Sequence, residues 1–148
     1  MISLIDKNNL PQVAMEFMND VHNEDVEIIN ELYNLILLYE QESNQKNKEA
    51  IDKKYEDWFA HTTEHFRGEE EKMKELQFPP YMMHKGEHDN ALYIMDTIFR
   101  TWKKSNDITV LKNYMQNDLL PWLIHHIQTM DTVTAHFFHS GMSPCSIH

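Results

Sequence analysis

Residues 61–70, which read HTTEHFRGEE, contain two overlapping patterns of potential metal ligands. His61, Glu64 and His65 spell H-x-x-E-H, a zinc-peptidase signature in which two helical histidines bind the metal and the glutamate is the general base. His65 and Glu69 spell H-x-x-x-E, which places an imidazole and a carboxylate about 6 Å apart on one face of a helix. Because both patterns use His65, the rest of the sequence must decide between them.

Three further segments, DVHNED, HKGEH and WLIHHIQTMD, carry more residues of the same chemical types. Imidazole suits iron, copper, zinc and nickel, and carboxylates commonly bridge paired metal ions. Five imidazoles and two carboxylates are too many for one ion, so the set predicts two metals about 3.5–4 Å apart, bridged by the carboxylates. The candidate ligands are His22, His65, Glu69, His84, His88, His126 and Asp131.

Four helices would have to position these residues. The chain has only 3 Gly and 5 Pro, which favours long helices with short connections. Polar or proline-containing breaks occur at ESNQ (42–45), QFPP (77–80) and KSND (104–107), and short connections make neighbouring helices antiparallel. The prediction is an all-α, up-down-up-down four-helix bundle with a dinuclear metal centre in its core.

Residues with a helical period of 3.6 predict which face of each helix points inward. Most are apolar, and the candidate ligands fall in phase with them. The four stripes are His22, Val26, Ile29, Tyr33 and Ile36; Ile51, Tyr55, Trp58, Thr62, His65, Glu69, Met73 and Leu76; His84, His88, Ala91, Met95, Phe99 and Trp102; and Leu111, Met115, Leu119, Trp122, His126, Met130, Val133 and Phe137.

The candidate ligands also lie at one level of the predicted bundle. In an antiparallel pair of helices, residues at the same level are equally far from the intervening turn. The midpoints between the candidate ligands of successive helices fall on or beside the three breaks, which were located independently. A single histidine on an apolar stripe is usually a core residue, but five at one level indicate a metal site.

The zinc-peptidase pattern explains less of the sequence than the H-x-x-x-E pattern. It needs a third protein ligand and a substrate cleft, and it leaves the other inward-facing candidates without a role. His61 is therefore expected to be a core residue or a neighbour of the site, one turn above it. A nearly neutral site rich in histidine keeps ferrous iron accessible, which suits reversible binding better than oxidative turnover.

The composition and termini of the chain bear on its partners, its cellular location and its domain organisation. The formal charge of −11 disfavours nucleic acid or an anionic membrane as a partner. One cysteine, Cys145, permits no intramolecular disulfide, and the N-terminus lacks the pattern of a signal peptide, so a cytoplasmic location is expected. We expect one domain over residues 1–148, with an N-terminal arm at about 1–18 and a loose tail at about 141–148.

The segments HFRGEEEKM (65–73), HKGEH (84–88) and WLIHHIQTMD (122–131), together with His22 in DVHNED, resemble the hemerythrin family of di-iron four-helix bundles. The resemblance implies that dioxygen binds reversibly at the iron that keeps an open position. It implies that one iron is held by His84, His88 and His126 and the other, open iron by His22 and His65, with Glu69, Asp131 and an oxo or hydroxo group as bridges. Leu123 and Ile127 match the family's apolar oxygen-pocket residues, although periodicity alone is equally consistent with plain core packing, and Trp122 is expected to pack on the same stripe.

The fourth helix departs from a regular pattern in three ways. Pro121 removes a backbone donor just before the W-L-x-x-H-I motif. His125 offers a ligand in the wrong register and should point away from the core. Asp131 follows His126 by five residues, and a regular helix would turn it about 140° away. We therefore predict a π-type widening, or an offset of the helix, between these two residues.

The function predicted from these observations is oxygen binding for carriage, storage or delivery, without catalysis by the protein. An oxygen-consuming partner is possible. Two alternatives retain the di-iron centre: an oxygen or redox sensor module, and an enzyme that acts on peroxide or nitric oxide or repairs iron centres. A metal-free structural bundle is the third alternative.

Overall fold

The computed structural model of the chain describes the backbone of residues 4–5 and 16–140 and the side chains of residues 4–5 and 19–136. Four long helices follow one another within these residues: α1 (Glu16–Gln41), α2 (Gln45–Glu75), α3 (Tyr81–Ser105) and α4, which runs over residues 108–140. Helix α4 has α-helical segments Ile108–Asn113, Leu120–His126 and Thr132–Ser140, separated by π-helical segments Tyr114–Leu119 and Ile127–Asp131.

Short turns reverse the chain between helices, and side chains cap the helices at the α1–α2 and α3–α4 turns. Before α2, the side chain of Asn44 accepts a hydrogen bond of 2.8 Å from the backbone N–H of Asn47. Between α3 and α4, Asn106 adopts a left-handed conformation with φ of 55°, and Asp107 caps α4 by accepting from the N–H of Thr109. Asparagine tolerates this conformation and aspartate satisfies exposed N–H groups at a helix start, so these residues end one helix and begin the next.

Each helix packs against the next, and α4 packs against α1, which closes the bundle. The predicted all-α four-helix bundle is confirmed. Ile36, Ile51, Trp102 and Leu111 are fully buried close to the α1–α2 and α3–α4 turns. Apolar side chains thus fill that half of the bundle, whereas the polar cluster described below lies in the other half, among further apolar residues. No helix in the described part of the chain is long and apolar enough to cross a membrane.

The predicted stripe is wrong at the C-terminal end of α4. Val133 is 54% exposed and Met130 is only half-buried, whereas Asp131, Thr134 and Ala135 are buried. The π-helical segment Ile127–Asp131 adds one residue to the turn and so moves the inward face by one position. The predicted widening after His126 is therefore confirmed, and it is the reason why a constant period of 3.6 fails beyond it. Phe137 has its side chain outside the described residues.

A second π-helical segment, Tyr114–Leu119, precedes Pro121 and was not predicted. In a regular α-helix, the ring of Pro121 would clash with the carbonyl of Asn117, which would also lose its N–H partner. The wider turn lies where this conflict occurs, and α4 continues past the proline.

The predicted arm and tail lie mostly outside the described residues. Within the arm, Ile5 is buried and exchanges two backbone hydrogen bonds with the side chain of Asn30 on α1. The predicted tail, residues 141–148, is not among the described residues. His136 is exposed.

Candidate metal centre

The structure brings all seven candidate ligands together between the four helices. They form two overlapping groups, and within each group one potential ligand atom per residue lies within 4.8 Å of the others. Their side chains are almost wholly removed from solvent. The first group is Glu69, His84, His88, His126 and Asp131, and the second is His22, His65 and Glu69.

Both carboxylates lie between the two sets of histidines. Oδ1 of Asp131 lies 2.9 Å from Nε2 of His84 and 3.0 Å from Nε2 of His126. The other oxygen, Oδ2, lies 3.0 Å from Nε2 of His22. Asp131 therefore turns one oxygen toward the three-histidine group (His84, His88, His126) and the other toward the two-histidine group (His22, His65).

Glu69 repeats this arrangement from the opposite helix. Its Oε1 lies 3.4 Å from Nε2 of His88 and 3.6 Å from Nε2 of His84. Its Oε2 lies 2.8 Å from Nε2 of His65. Two carboxylates that each face both groups are arranged as bridging ligands of a pair of metal ions would be.

Several buried atoms of the cluster lack the partners that a metal would supply. Oε1 of Glu69 and Nε2 of His88 are buried without a hydrogen bond to any described residue. Nε2 of His84 lies 3.2 Å from Nε2 of His126, and two neutral imidazoles cannot both donate along one such contact. Unsatisfied buried polar groups are costly. A bound cation would satisfy these atoms, which the side chains of the cluster do not satisfy among themselves.

The opposite ring nitrogen, Nδ1, is hydrogen-bonded in four of the five histidines. Such outer contacts fix the tautomer and orientation of an imidazole that binds a metal through its other nitrogen. Nδ1 of His22 is the exception, because it has no hydrogen-bond partner among the described residues. The four pairs are His65 with Asp25 at 2.8 Å, His84 with Thr134 at 2.7 Å, His88 with Glu70 at 2.9 Å and His126 with Glu87 at 2.8 Å.

Aromatic rings hold two of these imidazoles from the side. Phe66 stacks on His88 with ring centroids 3.8 Å apart, and Trp122 stacks on His126 at 4.7 Å. Trp122 thus contacts a candidate ligand directly. Stacking on a rigid neighbour restricts rotation of an imidazole and so keeps Nε2 directed at the cluster.

The cluster is strongly polarised in the metal-free chain. Burial alone would lower the pKa of His65, but its contacts with Asp25 and Glu69 hold that pKa well above the ordinary value. Burial alone would raise the pKa of Asp131, but hydrogen bonds from His126, His22 and His84 hold it well below the ordinary value. These contacts favour the imidazolium form of His65 and the carboxylate form of Asp131, and a metal ion would have to displace the proton of His65.

His61 lies beside the cluster and not in it, as expected. Its Nε2 lies 2.9 Å from Oδ1 of Asp25, whose Oδ2 is hydrogen-bonded to His65. The side chain of His61 is 26% exposed, so Asp25 and His61 connect the buried His65 to the surface. The zinc-peptidase pattern finds no support, because His61 and His65 face opposite oxygens of Asp25 and Glu64 is exposed beside Arg67.

A cavity of about 340 Å³ reaches the cluster on one side. Both histidines of the two-histidine group, His22 and His65, line it. Of the three-histidine group, only His126 lines it. Trp122 and Leu123 line it as well, which places two of the three predicted pocket residues at the cavity. Ile127 is fully buried and is not part of the cavity wall.

Several residues around the site were not anticipated from the sequence. Asp25, Glu70, Glu87 and Thr134 hydrogen-bond the candidate ligands, and Asp25 also lines the cavity. Asp25 follows His22 by three residues, so its helical phase could have revealed it. Thr134 faces inward only because of the π-helical segment. His125 is exposed and points away from the cluster, as predicted.

Comparison with known proteins gives consistent matches. The family profile described as "Hemerythrin HHE cation binding domain" matches residues 13–135. The bacteriohemerythrin of Aquifex aeolicus is 30% identical over 132 residues, which cover 89% of this chain and 95% of that protein. The hemerythrin of Themiste dyscrita is 31% identical over 100 residues, which cover 68% and 70% of the two chains. No solved structure gives a significant match.

Proposed function

Because the chain belongs to the hemerythrin family, we propose that it binds dioxygen reversibly at two iron ions, for carriage, storage or delivery of oxygen. The ions would be held by the cluster described above. His84, His88 and His126 would bind one iron, His22 and His65 the other, and Glu69 and Asp131 both. An oxo or hydroxo group would complete the bridge.

The observation that carries this proposal is the placement of the two carboxylates. Each turns one oxygen to the three-histidine group and the other to the two-histidine group. A mononuclear site would not need this division, whereas a dinuclear site does. Five histidines and two bridging carboxylates would give the two ions unequal numbers of protein ligands, and an ion bound by His22 and His65 would have one fewer.

The cavity is consistent with access of a small molecule to the second ion. It borders both His22 and His65, which would be the two histidine ligands of the ion with fewer protein donors. When bound, ferrous iron supplies the electrons that dioxygen takes up on binding and returns on release. Trp122 and Leu123 contribute apolar surface to the cavity wall, and this surface would limit access of water to the centre.

A di-iron enzyme that acts on peroxide or nitric oxide is the second candidate. One observation favours it: the cavity wall contains the carboxylate of Asp25 and the hydroxyl-bearing Thr62, so it is not wholly apolar. Polar groups beside the centre offer hydrogen bonds and proton transfer, which promote turnover more than reversible binding.

We propose a cytoplasmic location, because a single cysteine suits a reducing compartment. We also propose that the protein has no nucleic-acid partner, because its net charge is −11. An oxygen-consuming protein would be the recipient of the oxygen. Metal analysis of the purified protein tests the centre: two iron atoms per chain are expected, and a single zinc ion bound through His61 and His65 would overturn the proposal.

A further inference from the structure

The cavity is much larger than dioxygen requires. Its volume of about 340 Å³ falls within the range of roughly 300–1,000 Å³ that is typical of pockets for organic ligands. Its walls are largely aromatic or aliphatic and include Trp58, Phe66, Met95, Trp122 and Leu123. A diatomic gas would leave most of this apolar surface without a contact.

Thr62 supplies an unsatisfied polar group to the same wall. Its side chain is only 7% exposed, and its hydroxyl has no hydrogen-bond partner among the described residues. The neighbouring Thr63 differs, because its hydroxyl donates to the carbonyl of Phe59 at 2.8 Å. A buried hydroxyl that forgoes such a backbone contact is costly unless something in the cavity binds it.

Asp25 limits the kind of molecule that fits. Its carboxylate also lines the cavity, where it disfavours an anion. Two imidazoles already contact it, His65 at 2.8 Å and His61 at 2.9 Å, so it has little need of a cationic ligand. A neutral hydroxyl group can instead accept from Thr62 or donate to Thr62 or to the carboxylate.

The cavity has a route to solvent between α3 and α4. Ile94, Asn117 and Asp118 belong to its lining and are exposed at the surface. Asn117 and Asp118 lie in the π-helical segment Tyr114–Leu119, and Ile94 faces that segment from α3. A molecule larger than oxygen therefore has an opening through which to enter.

We propose that this cavity binds a small neutral organic molecule that has an apolar body and one hydroxyl group. The hydroxyl group bonds to Thr62, and the apolar body packs between Trp58 and Trp122. His22, His65, His126 and Asp131 also belong to the cavity wall, but the residues that would hold the ligand, Thr62, Trp58 and Trp122, are not candidate metal ligands. Its existence does not depend on whether the iron centre binds oxygen reversibly.

Calorimetric titration of the metal-loaded protein under argon tests the site, with benzyl alcohol and toluene as paired probes. Benzyl alcohol should bind at one molecule per chain and about fivefold more tightly than toluene, as expected for one net hydrogen bond. Thr62→Val keeps the shape of the side chain and removes the hydroxyl. It should weaken binding of benzyl alcohol about fivefold and change that of toluene by less than about twofold.

Two further variants keep the result interpretable. Ala91→Leu adds bulk to the cavity wall and should abolish binding of both probes while iron content is retained. Thr97→Val removes an exposed threonine hydroxyl on α3 and should alter neither affinity. The inference is overturned if neither probe binds, if the probes bind equally tightly, or if Ala91→Leu leaves binding unchanged. Because the titration excludes oxygen, failure of the oxygen-binding proposal would be seen separately.

Discussion

Asp131 follows His126 by five residues, yet its Oδ1 lies 3.0 Å from Nε2 of His126. A five-residue step on a regular α-helix turns about 140° away from the starting direction. The π-helical segment Ile127–Asp131 accommodates the additional residue, so both side chains reach the same cluster. The same adjustment turns Thr134 inward, where it hydrogen-bonds His84 from the outer side.

Changes in the length of this segment should therefore have unequal effects. Deletion of the exposed Gln128 would leave Asp131 four residues after His126, a step that turns only about 40° on a regular helix. We expect the deletion variant to become α-helical there and to keep its iron. Insertion of one alanine after Gln128 should instead rotate Asp131 away and lower the iron content to about one atom per chain or less.

Iron content and thermal melting of these two variants provide the measurement. Substitution Gln128→Ala is the matched control, because it changes an exposed side chain without altering the register. Loss of iron on deletion combined with retention on insertion would refute the role assigned to the π-helical segment.

Loss of a bridging carboxylate should be more damaging than loss of the neighbouring His61. Glu69→Gln removes the negative charge that faces both histidine groups, and two cations in a dry site need that charge. We expect iron to fall from about two atoms to about one or none per chain. His61→Gln on the same helix should keep the iron content, and equal loss in the two variants would contradict the ligand assignment.

Leu123 should protect the oxygenated protein from water. It lines the cavity three residues before His126. Leu123→Asn should leave iron content intact and speed autoxidation about tenfold, because a polar side chain admits water to the centre. The decay of the oxygenated spectrum in air measures this rate. Ile124→Asn is the control, since Ile124 is a half-buried neighbour that does not line the cavity; similar acceleration in both variants would argue against a specific role for Leu123.

Metal binding should release protons. Despite burial, Asp25 and Glu69 hold the pKa of His65 well above its ordinary value of 6.5 in the metal-free chain. Since a raised pKa keeps His65 protonated beyond pH 6.5, and metal requires neutral imidazole, the apparent affinity for ferrous iron should rise with pH above 6.5.

Anaerobic addition of ferrous iron to the weakly buffered protein at neutral pH measures this release. Asp25→Asn should reduce the number of protons released, because His65 loses one of its anionic partners. His125→Gln, which changes an exposed histidine outside the cluster, should not. Binding without proton release would show that His65 is neutral in the metal-free chain.

The sequence predicted the bundle and the membership of the cluster because both depend on spacing. His65 with Glu69, and His84 with His88, lie one helical turn apart, and that geometry is local. The five-residue spacing from His126 to Asp131 predicted the widening of α4, but the stripe was continued with a constant period of 3.6, so Val133 was wrongly predicted to face inward.

The outer contacts of the histidines depend on distances between helices. Glu70 reaches His88, and Glu87 reaches His126, from other helices. Helical phase does not identify such partners, because long carboxylate side chains extend across the bundle from positions beside the inward face. Helical phase does place Asp25 and Thr62 on inward faces, but only the packing of the helices shows that both line one cavity.

The optical spectrum of the ferrous protein, recorded under argon, then in air, and again under argon, tests reversible oxygen binding most directly. The account predicts a charge-transfer band that appears in air, disappears when oxygen is removed and returns on re-aeration. Direct conversion in air to a stable diferric form, with no reversible species, would contradict it and would favour the enzymatic alternative.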